Sequence, residues 1–101
     1  MASRKELHHR LEEILGSRNV YFNPPQNMML EYPCILYNLD DKQTVKADNI
    51  NYLIQNYYNV TLIHPDPVNK IQDAIMELPY CTFTSFYSTD DLNHFRYQIY
   101  Y

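Results

Sequence analysis

The side chains able to do chemistry are few and scattered: Cys34 and Cys81, the histidines His8, His9, His64 and His94, and two pairs of adjacent acids, Asp40-Asp41 and Asp90-Asp91. A thiol or hydroxyl nucleophile needs a base within hydrogen-bond reach and a third group to orient that base. Spacing alone supplies no such set, since Cys34 or Cys81 would meet His64 or His94 through tertiary placement and not through any motif. The two Cys and two His also lack the close Cys pair that marks structural zinc. His8 with Glu12 and His9 with Glu13 have the helical spacing of a chelating pair, which is equally that of ordinary surface pairs. Adjacent acids in turns are usually solvated turn formers, a reading preferred here to cation binding or acid–base work. With Gly16 as the sole glycine, no glycine loop can cradle a phosphate. No catalytic activity, metal or other cofactor is expected.

Composition narrows the partners. Eight basic against twelve acidic residues give a formal charge of −4, the opposite of the concentrated positive field that grips phosphates, so specific nucleic-acid binding is not expected. No apolar run approaches the roughly 20 residues that span a bilayer. The first ten residues carry charge where a signal peptide would be apolar, so a soluble chain made in the cytoplasm is expected, with both thiols reduced and buried. In that setting the Asn59-Val60-Thr61 sequon carries no information. Eleven tyrosines without a tryptophan are the most unusual feature. Tyr suits surfaces that are wet in a monomer and buried in an assembly, and it also simply favours half-buried strands.

The elements that must position these residues follow from periodicity. Ser3 and Glu6 have capping-box spacing, Leu7, Leu11, Ile14 and Leu15 recur on one helical face, and Gly16 supplies a left-handed stop, predicting a helix over residues 4–15. A short extended piece at 19–22 ends at Asn23-Pro24-Pro25. The segment EYPCILYNLDD fits a strand covered on both faces, with Pro33 near its start and Asp40-Asp41 closing it. Residues 41–51 are polar and lack either period, which predicts a long exposed loop of the kind that makes partner contacts. Tyr58, Val60 and Leu62 alternate with Asn59 and Thr61 in a strand over 57–63 that ends at His64-Pro65.

A second helix is expected from an Asp66 cap and Pro67, with Val68, Ile71, Ile75 and Leu78 on its inner face, stopping before Pro79. A hairpin completes the chain, with strands at 80–87 and 92–101 joined by a Ser88-Thr89-Asp90-Asp91 turn in which Asp replaces the missing glycines. In its last strand Phe95, Tyr97, Ile99 and Tyr101 face one way, and His94, Arg96, Gln98 and Tyr100 the other. The economical architecture is one α+β domain over residues 1–101, a small mainly antiparallel sheet of four to five strands with two helices packed on one face.

Four segments, EYPCILYNLDD, NYYNVTLIHPDP, ELPYC and DDLNHFRYQIYY, carry a resemblance. Together with the element order they resemble tail-terminator and tail-completion proteins of long-tailed bacteriophages, over about residues 4–101. The resemblance implies a virion protein, working as a hexameric ring at the head-proximal end of the tail. Such a ring ends tube polymerisation and joins tail to head, with the tail tube protein and a head–tail connector as partners, and DNA passing through its lumen without specific binding. Contacts through loops and sheet edges would make Asp41, Lys42, Gln43, Lys46, Asp48, Asn49 and Asn51 interface candidates, with Arg96 and Tyr100 added as large groups on a polar strand face. A head-completion or stopper protein of the connector, and a monomeric inhibitor or regulatory module, stand as alternatives.

Overall fold

The computed structural model describes residues 4–47 and 50–101, with the side chains of 40–47 and 50–56 left aside. The chain runs α1 (Arg4–Leu15), β1 (Val20–Phe22), β2 (Cys34–Ala47), β3 (Ile50–His64), α2 (Lys70–Met76), β4 (Cys81–Thr89) and β5 (Leu92–Tyr100). It is an α+β fold: one five-stranded sheet in the order β1-β2-β3-β5-β4, antiparallel except where β1 pairs with β2, and two helices packed against it.

Cross-strand registers explain why the helices share a face. Ile35, Leu62, Phe95 and Phe86 lie in one row across β2, β3, β5 and β4, and Tyr37, Val60, Tyr97 and Phe83 in the next. On these rows Ile35, Val60 and Leu62 are fully buried, and they form one core with Leu7, Leu11 and Leu15 of α1 and with Ile75 and Leu78 of the α2 region. Both ends of this layer are fastened by tyrosine hydroxyls. The Tyr37 hydroxyl accepts from Arg4 at 3.3 Å and lies 2.7 Å from His8 Nδ1, fixing α1 over β2. The Tyr97 hydroxyl donates to the Gln72 carbonyl at 3.2 Å, fixing α2 over β5. Burial holds both phenols above their ordinary pKa, so they stay protonated.

Local choices agree with this packing at most points. Helix α1 ends where Gly16 takes φ +78 and its N–H donates to the Glu12 carbonyl at 2.9 Å. Asp90 and Asp91 take φ +53 and +61 between β4 and β5, so Asp does stand in for glycine in a two-residue hairpin turn. Asn93, the buried polar residue at the start of β5, donates to the His64 and Pro65 carbonyls and accepts from Ser88, which joins three strand ends. The Ser3 cap of α1 lies outside the described residues.

Several expectations are corrected. Asp66 does not cap α2; its carboxylate accepts from the Val68 N–H at 3.0 Å in a local turn, and Asn69 caps the helix by accepting from the Gln72 N–H at 2.9 Å. Val68 therefore precedes the helix and is 79% exposed. The strand that Asp40-Asp41 was expected to close continues to Ala47, with an irregularity in pairing between Leu39 and Asp41. The strand expected over 57–63 begins at Ile50. Residues 41–47 and 50–51 are thus strand and not loop, paired from Asp41 with Tyr57 to Ala47 with Ile50. The two segments satisfy their inner backbone groups across the pair, and the polar run over 41–51 carries no period from which a strand would be read.

Candidate interaction surface

The face of the sheet away from the helices is built from the polar positions of the alternating strands. Leu36, Thr61, Arg96 and Ser85 form one row across it, and Asn38, Asn59, Gln98 and Thr82 the next. Beyond them Tyr57 pairs with Tyr100, their rings stacked with centroids 4.6 Å apart. Asn23 and Pro24 wall one side of a depression of about 360 Å³ whose floor includes Asn38, Asn59, Thr61 and Arg96. Tyrosine, arginine and amide side chains on a flat surface are what protein contacts favour, since each offers area or hydrogen bonds without demanding burial in the monomer.

At its opposite end this face closes over. Cys34 is fully buried, its row partner Ile63 is 4% exposed, and next along the row His94 stacks on Tyr87 with centroids 4.4 Å apart. His94 Nδ1 is buried there with no hydrogen-bond partner among the described residues. His64 Nδ1 does have one, the Asp66 N–H at 2.9 Å.

The second part of the surface is an arm. Strand β5 pairs with β3 as far as Tyr57, so the ribbon of residues 41–47 and 50–56 runs on past the sheet with both outer edges unpaired by any other strand among the described residues. The molecule measures 52 × 26 × 23 Å as a result. Of the candidates read from sequence, Asp41 lies at the root of the arm opposite Tyr57. Lys42 and Gln43 follow, and Lys46 pairs with Asn51 near its far end. Asp48 and Asn49 lie outside the described residues. Arg96 and Tyr100 share the open face, four residues apart along β5 and away from the arm candidates.

Sequence reasoning missed Tyr57, Asn38, Asn59 and Thr61 as neighbours of Arg96 and Tyr100. The alternation of each strand put Asn59 and Thr61 on a polar face, but which strands lie side by side, and in what register, is a tertiary matter. It also missed the β4 edge, where Phe83 and Phe86 remain 45% and 48% exposed beside Tyr97 and Phe95.

The residues with chemical potential are kept apart. Cys34 and Cys81 are both free, stand on β2 and β4 with two strands between them, and occupy opposite faces. Burial pushes both thiols up to about 11, which leaves them protonated and poorly nucleophilic at neutral pH. On α1, Glu12 faces both His8 at 3.8 Å and His9 at 3.4 Å. Among the described residues no three His, Cys, Asp or Glu side chains converge as a metal site would require, and no helix is long and apolar enough to cross a membrane. No protein-family model matches the chain, and no curated protein matches it significantly.

Proposed function

We propose that this chain is a ring-forming structural protein of a bacteriophage virion, of the tail-terminator or tail-completion kind. The observation that carries the reading is the arm. A lone two-stranded ribbon is marginally stable in water and presents two rows of unpaired backbone groups. A 12-kDa chain that devotes some fourteen residues to such a ribbon has a use for it outside its own core. A neighbouring subunit, or the end of the tail tube, is the surface that would complete it.

The open face supports the same reading, because it offers Tyr57, Tyr100 and Arg96 on one side of the sheet. The acidic balance of −4 suits a conduit through which DNA passes without adhering. Four sequence segments and the element order supply the link to phage tails.

The test is imaging of phage particles that lack this protein. Tails of uncontrolled length, separate from heads, are expected. Filled heads without tails would move the assignment to a connector stopper, and normal particles would overturn both.

A further inference from the structure

Among the described residues the guanidinium of Arg96 has no ion-pair or hydrogen-bond partner, in a chain where acids outnumber bases twelve to eight. Around it, the depression is lined by Asn23, Asn38, Asn59 and Thr61, with no acidic side chain among the described residues. Five fixed donors amid neutral amides and a hydroxyl make a receptor for a carboxylate, which Arg grips in a planar, two-bonded fashion while the amides offer further donors.

The same molecule carries a matching group. Asp90 and Asp91 form the exposed tip of the β4–β5 hairpin, and neither has an ion-pair or side-chain hydrogen-bond partner among the described residues. Asn-Gly would meet the demand for two left-handed residues at lower conformational cost and without placing two like charges side by side. The turn therefore accepts this pair of acids without requiring their charge. Within one subunit the two sites cannot meet. Arg96 lies four residues along β5 from Leu92, the strand residue next to the turn, a separation of about 14 Å at the rise of a strand.

We infer that the Asp90-Asp91 turn of one copy docks in the Arg96 depression of the next, a heterologous contact that repeats head to tail. This rests on the proposed ring, for which it names one bond between subunits. In a closed ring each copy gives one such contact and receives one, whereas a reciprocal two-fold pair would use both and stop at a dimer. A carboxylate–guanidinium contact on an exposed face also predicts that salt loosens the assembly.

The test is a double-mutant cycle on assembly, read by sedimentation at several concentrations, with Arg96→Gln and with Asp90→Asn plus Asp91→Asn. Asn accepts left-handed backbone, so the turn is kept and only charge is removed. Each change alone should weaken association on the order of tenfold at unchanged melting temperature, and all three together should lose little more than either alone. Full assembly of Arg96→Gln, or losses that simply multiply, would overturn the contact while leaving the ring reading intact. A wild-type chain that stays monomeric at every concentration would remove the ring reading, and this contact with it.

Discussion

Tyr57 and Tyr100 stack at 4.6 Å and 24° across the last pair that joins β3 to β5, at the point where the sheet ends and the arm begins. The pair stiffens the root of the arm and presents one continuous aromatic surface. Tyr100→Ala should leave the subunit folded, lower its stability by about 0.5–1.5 kcal/mol through the lost ring contact, and weaken assembly by about 1–2 kcal/mol. Thermal melting and sedimentation of the variant check both parts. An unchanged oligomer distribution would reject an interface role for this residue.

Ile99 occupies the opposite side of the same strand, fully buried between Tyr58 and Cys81. Ile99→Asp would bury a carboxylate with no partner, at a cost of several kcal/mol, on the order of the whole stability of a small domain. Loss of the cooperative melt is expected. Ile99→Val should cost about 1 kcal/mol and retain it, which separates packing from charge.

The two thiols give a pH-dependent prediction. Their folded pKa values, near 11, lie above the ordinary 9.0, so the native state holds these protons more tightly than the unfolded chain. The corresponding stabilisation is complete below about pH 9 and disappears as pH rises from 9 through 11. Alkylation of the native protein should accordingly be slow at pH 8 and accelerate toward pH 11. Denaturation without reductant should release two titratable thiols; recovery of none would mean a disulfide. Three strand spacings of about 4.8 Å separate β2 from β4, too far for that bond without rearrangement.

Amide exchange distinguishes the arm from the sheet. In an isolated subunit, residues 41–47 and 50–56 should exchange much faster than 58–63 and 94–99, because the ribbon lacks neighbours on its outer edges. Assembly should slow them. Strong protection in a monomer would show that the arm needs no partner.

Periodicity made α1, β5 and the buried side of β3 legible before any coordinates, because each packs one side on the core and the repeat of that side is written in Leu7, Leu11 and Leu15, in Phe95, Tyr97 and Ile99, and in Tyr58, Val60 and Leu62. The arm was illegible because the polar run over 41–51 carries neither period, although its backbone is paired. The start of α2 misled because Asp66-Pro67 and Asn69 are both good caps, and the choice between them depended on where Ile71 and Ile75 had to reach the core. At the candidate surface, strand alternation identified Arg96 and Tyr100 as outward-facing, whereas Tyr57, Asn59 and Asn38 became their neighbours through register, which no single strand encodes.

The central claim is that the chain works as a multi-subunit ring, and native mass measurement across a range of concentrations tests it most directly. A discrete oligomer, six copies by the resemblance to tail terminators, or oligomers that grow in with concentration, is the predicted result. A 12.2 kDa species that persists alone at the highest concentration attainable would contradict it and favour a monomeric binding module.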